Sequence, residues 1–422
     1  MTIARRLGQR IALAFGMALA LASPDPGHAA TAPGAPGPGA PAPRAVTGSV
    51  FDDANRNGRR DAGEPGIAGA VVSDLRDVAV TDADGRYSLT AAAGSAVVFV
   101  SLPDGWAPKD RFWRPLADGA SATTTDFALV RRTAGASFTF LHASDTHLSE
   151  ASLPRIRLLR ALVEARHPDF VLITGDLVRD ALRVGETEAR GEYELLASEL
   201  ARFPVPVFAV PGNHDIFGIE RPQSHVSPDH PLYGRALCRL YVGPEYYSFN
   251  WGGFHFLGLD SVDYDDLWYY GHLDAAQLAW VERDLARVPA ATPIVTFNHI
   301  PFASSVERLS GYTEDPPAPS LIRIGGRMQY RHLVSNFSDL LALLGSHPLE
   351  LALGGHLHTR ETIGLETIAG RIRFHQTAAV VGPSEAPGLH FVSGVTLYRA
   401  QDGHVDDGTF LPLDPPRPRS AP

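Results

Sequence analysis

Five short stretches of this 422-residue chain gather side chains that bind metals or move protons. They are SDTH (144–147), TGD (174–176), GNHD (212–215), FNHIP (297–301) and GHLHT (355–359). Each follows an apolar, β-like run, so each polar group stands where a strand stops. The pooled donors are the carboxylates of Asp145, Asp176 and Asp215, the imidazoles of His147, His214, His299, His356 and His358, and the amide of Asn213. Imidazole with carboxylate suits zinc, iron, manganese or nickel better than calcium. The set is larger than the three or four ligands of one catalytic ion. Two ions sharing a bridging carboxylate is the economical arrangement. Any one stretch alone reads as turn chemistry, but five in order at strand ends do not.

The elements that must position these groups follow from the hydrophobic pattern. SFTFLHAS from Ser137 and PDFVLITGD read as strands, with LPRIRLLRALVEARH between them at helical spacing. A helix is expected around 188–202, then the strand VPVFAVPGNHD, then two strands about the Gly252-Gly253 turn. DAAQLAWVERDLARV has Asp274 at an N-cap and Gln277 three residues on, a capping-box arrangement. PIVTFNHIP, NFSDLLALLGSH and LELALGGHLH read as strand, helix and strand. The α–β alternation predicts sheets covered by helices, with ligands bound at the carboxyl ends of strands.

The order D-x-H, G-D, G-N-H-[DE], H, G-H-x-H resembles the calcineurin-like metallophosphoesterases over roughly 138–400. The resemblance implies an α/β (α+β) fold of four layers, two mixed β-sheets face to face and flanked by helices. It implies that Asp145, His147 and His358 hold one ion and Asn213, His299 and His356 the other, with Asp176 bridging. His214 would stay off the metals and act on the substrate, with Asp215 orienting its ring. A hydroxide shared by the ions would then attack phosphorus, while His214 assists the leaving oxygen. Departures narrow the group. Arg179 stands where purple acid phosphatases carry a tyrosine, and GDLVRDA replaces the G-D-x-V-D-R-G of the Ser/Thr protein phosphatases. Class III cyclic-nucleotide phosphodiesterases and exported bacterial phosphoesterases keep the GNHD and GHxH seen here.

A formal charge of −10 argues against a nucleic-acid surface. Cys238 is the lone cysteine, which rules out an intrachain disulfide and a cysteine-rich zinc site. Residues 1–30 read as a signal peptide: Arg5, Arg6 and Arg10 precede the short apolar IALAFGMALALA, with cleavage near Ala29. The mature chain is therefore expected outside the cytoplasm, periplasmic or secreted, with no membrane span. Residues 31–45 are a Pro/Gly/Ala linker. Residues 46–130 alternate short β-like runs with turns, which predicts a small all-β sandwich ahead of a catalytic domain over 137–412 and a Pro-rich tail over 413–422. Within the sandwich, DANRNGRRDAGE has calcium-loop spacing, making Asp53, Asn55, Asn57, Asp61 and Glu64 calcium candidates. That module resembles the B-repeat and prealbumin-like domains of bacterial surface proteins.

Two segments could shape a pocket. DYDDLWYYGH (263–272) offers aromatic rings, and 304–332 is too long for a plain connection. Arg327 or Arg331 in the latter is placed to meet phosphate. The expected function is dinuclear metal-dependent hydrolysis of a small phosphate monoester or diester, with manganese, iron or zinc as the ions. The alternatives are a cyclic-nucleotide phosphodiesterase in particular, or an inert binding protein on the same fold.

Overall fold

The structure is a computed structural model. It describes residues 42–117, 122–132, 135, 137–315, 319–368, 370–386 and 389–414. The expected leader and nearly all of the linker lie outside the described residues, as does the tail beyond Asp414.

Residues 44–131 form two β-sheets. One runs Arg86–Ala91, Arg44–Asp52, Phe127–Arg131, Trp106–Pro108, with Ala122–Thr124 also on Arg44–Asp52. The other runs Val78–Val80, Val71–Ser73, Val97–Ser101, Trp113–Pro115. RYSLTA shows why strands form here: Tyr87, Leu89 and Ala91 are buried while Arg86, Ser88 and Thr90 are exposed, the period of a half-buried strand.

From Ser137 onward two larger sheets appear. In the first, Val207–Val210, Phe170–Thr174 and Ser137–Ala143 run parallel, and Gly394–Gln401 lies antiparallel beside the last. In the second, Phe254–Leu259, Ile294–Asn298, Leu349–Gly354 and Gly370–Gln376 run parallel, with antiparallel edges Tyr247–Trp251 and Glu361–Thr367. SFTFLHA serves two layers at once. Phe138 and Phe140 join the core between the sheets, whereas Leu141 and Ala143 join the core under the helices. Those helices are Leu153–Arg166, contributing Ile156, Leu159 and Val163, and Glu186–Leu200, contributing Ala189, Tyr193 and Leu196. Ala275–Leu285 and Phe337–Leu344 pack with the second sheet. Between the sheets the contacts are aromatic. Phe208 stacks on Phe249 at 4.0 Å, Phe170 meets Phe249 edge-on at 5.6 Å, and Phe140 meets Phe256 edge-on at 5.7 Å.

The capping box at Asp274 forms only in half. Asp274 accepts from the Gln277 N–H at 2.8 Å, but the Gln277 amide bonds the backbone of Asp260 instead, at 2.9 and 2.8 Å. It thereby ties the helix to the end of Phe254–Leu259.

The change of architecture near residue 137 is no break in packing. Tyr247–Trp251 is an edge strand, and its Asn250 N–H donates to Leu102 O at 2.8 Å. Trp280 donates to Ser73 Oγ at 3.0 Å and Tyr246 to Leu75 O at 2.7 Å. Phe112 lies 5.9 Å from Phe208 and 4.7 Å from Tyr247, so one ring reaches the edge strand of each large sheet. The sandwich thus covers edges that would otherwise invite pairing with another chain. One hydrophobic core runs through both parts. We expect a single cooperative thermal transition for the whole chain. Trp280→Ala, truncating a fully buried ring at this junction, should lower stability by about 3–5 kcal/mol. Two well-separated transitions in calorimetry would contradict the shared core.

Candidate metal centre

Because the central strands of each large sheet run parallel, their carboxyl ends open on one side. Asp145 and His147 follow Ser137–Ala143, and Asp176 follows Phe170–Thr174. Asn213–Asp215 form a 3₁₀ turn after Val207–Val210. His299 follows Ile294–Asn298, and His356 and His358 follow Leu349–Gly354. Reaching the centre requires backbone that L-residues seldom adopt. Asp145, His147, Asp176, His356 and His358 have φ of 54°, 38°, 48°, 72° and 51°. Such conformations cost roughly 1–3 kcal/mol each and persist where surrounding structure fixes them. Here the loops bond one another: Asp145 N–H donates to Gly175 O at 3.1 Å and His147 N–H to Asp176 O at 2.9 Å. Two glycines permit the approach. A Cβ on Gly212 would lie 2.2 Å from Asp176 N, and one on Gly355 would lie 1.8 Å from Ser144 Oγ.

The convergent side chains form two groups of potential ligands sharing Asp176: Asp145, His147, Asp176 and His358, and Asp176, His299 and His356. In the first, His147 Nε2 lies 3.3 Å from His358 Nε2 and 3.5 Å from Asp176 Oδ2, and His358 Nε2 lies 3.3 Å from Asp145 Oδ1. In the second, His299 Nε2 lies 3.2 Å from Asp176 Oδ1, 3.1 Å from Asn213 Oδ1 and 3.2 Å from His356 Nδ1. The two carboxylate oxygens of Asp176 thus face different groups.

The donor set fits divalent ions. Ring nitrogens crowd one another at 3.3 and 3.2 Å as well as the surrounding oxygens, and the buried Asp145 Oδ1, 3.3 Å from His358 Nε2, makes no well-formed hydrogen bond. A cation in each group would satisfy these lone pairs. Burial by itself would raise Asp176, but the His299 and His214 charges hold it well below the usual carboxylate range. Burial opposes charge on His299 too, yet Asp176 lifts it to about 9. The groups are mutually dependent before any ligand is considered.

His214 stands beside the first group, its ring edge-on to His147 at 4.7 Å. The expected role of Asp215 needs correction. Asp215 does not touch the His214 ring. It accepts from the N–H groups of Gly212 at 2.7 Å, Leu177 at 3.0 Å and Val178 at 3.1 Å, which clamps the GNHD loop to the TGD loop. The ring is instead held by Arg179 O, 2.9 Å from Nδ1, with Asp180 Oδ1 at 3.5 Å. A carboxylate directly after the histidine is turned back by the 3₁₀ turn, so adjacency in sequence misleads here.

His332 had no signal in the sequence. Its Nδ1 lies 2.7 Å from His356 Nε2, and the rings stack at 5.0 Å. His356 directs Nδ1 toward His299, so with an ion on Nδ1 its Nε2–H would donate to His332. Burial, with Arg331 adjacent, lowers His332 to about 4, which keeps its acceptor nitrogen free of a proton. His332 arrives from the long insertion, whose hairpin Leu321–Ile324 and Arg327–Tyr330 packs on the strand Trp268–Gly271. Of the two arginines expected to meet phosphate, Arg327 is exposed on that hairpin and Arg331 is buried beside Tyr269.

The calcium candidates lie in the other part of the chain. Asp53 accepts from the N–H groups of Asn57 and Gly58, each at 2.9 Å, and the amides of Asn55 and Asn57 donate to Asp61 at 2.8 and 2.6 Å. Glu64 accepts from Asp61 N–H at 3.0 Å. The loop closes on its own hydrogen bonds. Among the described residues, Asp53, Asp61 and Glu64 do not converge as the strand-end ligands do.

Residues 138–360 match the profile of the calcineurin-like phosphoesterases, and residues 54–132 match that of the N terminal of calcineurin-like phosphoesterase. The chain belongs to the calcineurin-like phosphoesterase family. Among curated relatives, a 3′,5′-cyclic adenosine monophosphate phosphodiesterase of Escherichia coli is 25% identical over 205 residues, 47% of this chain and 59% of that protein. A 3′,5′-cyclic-nucleotide phosphodiesterase of Nostoc is also 25% identical, over 48% of this chain and 61% of that one. This chain therefore spans about three-fifths of their length. A probable cyclic nucleotide phosphodiesterase of Moraxella catarrhalis is 27% identical over 54% of this chain and 73% of its own. A solved dimetal phosphatase from Danio rerio aligns at 15% identity and a TM-score of 0.40, over 63% of this chain and 93% of that one.

If His332 orients His356, His332→Ala should weaken metal uptake about 10–100-fold, as loss of a ligand's hydrogen-bond partner does. The effect should fall on one ion only. Metal titration of the purified chain checks this; two uptake steps unchanged from wild type would contradict it.

Proposed function

We propose that this chain hydrolyses a small phosphate ester with two divalent transition-metal ions. The observation that carries the reading is the meeting of Asp145, His147, Asp176, Asn213, His299, His356 and His358 from two sheets, with His214 free beside them. Asp145, His147 and His358 would hold one ion, Asn213, His299 and His356 the other, and Asp176 both. When bound, the ions supply Lewis-acid charge for phosphoryl oxygens and make water nucleophilic near neutral pH.

The chain's own contribution is orientation and a proton. With its Nδ1 bonded to Arg179 O, His214 has Nε2 left to act on the substrate. Burial disfavours charge on this ring, but Asp176 and Asp180 raise it to about 9. Asp180 beside Nδ1 favours the protonated ring, which would supply a proton to the leaving oxygen. Asp215 keeps the two loops in register and touches no reacting atom. Asn213 offers an amide oxygen that adds no charge, so the centre is not overloaded with carboxylates.

The names of the relatives support a cyclic nucleotide as substrate, the narrower form of this reading. The Arg5, Arg6 and Arg10 leader supports export, for which a mature N-terminus near Ala29 is the check. Manganese, iron and zinc all suit the donors.

Asp176→Asn should lose both ions together with activity, because one carboxylate serves two sites. Two tightly held ions in that variant would sink the assignment. His214→Ala should keep both ions and slow esters of poor leaving groups by about 10²–10⁴-fold. The loss should be smaller with p-nitrophenolate, which departs without a proton. Equal losses across leaving groups would show that His214 positions phosphate rather than protonating the leaving oxygen.

A further inference from the structure

Arg331 carries a charge that the described protein leaves without an anion. It directly follows the hairpin strand Arg327–Tyr330 and is only 8% exposed. Its guanidinium sits 4.4 Å from the Tyr269 ring centroid and 5.1 Å from that of Trp268. Its Nε is buried without a hydrogen-bond partner, and no carboxylate among the described residues pairs with it. Other enclosed arginines find acceptors: Arg235, Arg239 and Arg373 pair with Asp260, Glu245 and Glu350, and Arg44 donates to the carbonyls of Ala117 and Ser95. Enclosing a cation without a counter-charge is unfavourable, and two aromatic faces compensate only in part.

The position of the unmatched charge is specific. The Tyr269 ring that supports it stands edge-on to His356 at 6.0 Å, and the next residue, His332, stacks on His356. Tyr269 is therefore a common neighbour of the guanidinium and of His356, in the group that also contains His299. His214 stands at the other end, against His147. A phosphate lying across the centre would point its leaving oxygen toward His214 and a retained phosphoryl oxygen toward Arg331.

We propose that Arg331 is a binding residue for a retained phosphoryl oxygen of the substrate, at the end of the centre opposite His214. The inference rests on the phosphoesterase reading. A guanidinium offers a planar fork that matches phosphate oxygens, and the Tyr269 and Trp268 faces fix its plane before the substrate arrives. Arg327, exposed on the hairpin, has no such seating.

The test uses the full metal-loaded chain. Inorganic phosphate affinity is measured by calorimetry, and kcat and KM are measured with p-nitrophenyl phosphate and an alkyl phosphate. Arg331→Ala should weaken phosphate binding and raise KM by about ten- to a hundredfold, the range for a lost charge-assisted hydrogen bond. That factor should be the same for both leaving groups. Arg331→Lys should recover part of the affinity, and Arg327→Ala should match wild type. If Arg331→Ala does not fold, Arg331→Gln keeps the packing without the charge and should show the same weakening. A folded, neutral variant that binds phosphate as wild type does overturns the inference and leaves Arg331 a packing strut. A metal-loaded wild type that neither binds phosphate nor cleaves esters overturns the phosphoesterase reading with it.

Discussion

The centre depends on one buried carboxylate. Asp176 faces His147 with one oxygen and His299 with the other, and its own backbone is held at positive φ by the loops around it. The Phe170–Thr174 strand that delivers it belongs to the first sheet, whereas His299 comes from the second. The distance between the sheets must therefore be set before the two ligand groups can share an oxygen donor. That spacing is maintained by the aromatic layer of Phe140, Phe170, Phe208, Phe249 and Phe256, whose rings interlock across the gap. Large rings leave few alternative packings, and close-packed interiors transmit small shifts. The phenylalanines far from the chemistry thus determine whether the ligands meet.

The sandwich at the amino end belongs to the same constraint. It covers the edge strand Tyr247–Trp251 and sends Phe112 against both Phe208 and Tyr247. Tyr247 in turn donates to Ala209 O at 2.9 Å, on the strand that leads to GNHD. A path of packed groups thus runs from the sandwich to the loop holding Asn213 and His214. The family profile for an N-terminal module matches this part of the chain, and its packing gives that pairing a physical basis.

Much of the centre could be read from the sequence, because strand ends and ligand types are local features. Asp145, His147, Asp176, Asn213, His299, His356 and His358 each follow an apolar run, and the parallel sheets bring those ends together. What escaped reading depends on contacts remote in sequence or on the direction of a single turn. His332 lies 24 residues from His356 and meets it only because an inserted hairpin folds back. Asp180 shares the support of the His214 ring, while Asp215, its neighbour in sequence, turns away to clamp backbone N–H groups. Gln277 was expected to close a capping box but is drawn to Asp260 by the sheet beneath the helix. The choice between Arg327 and Arg331 likewise needed the Tyr269 and Trp268 faces, which periodicity cannot reveal.

The central claim is that Asp176 joins two ion sites built from different sheets. Anomalous diffraction from crystals grown with manganese tests it most directly. The account predicts two peaks flanking Asp176, one among Asp145, His147 and His358 and the other among Asn213, His299 and His356. A single peak, or a pair that leaves Asp176 in contact with only one ion, would contradict it.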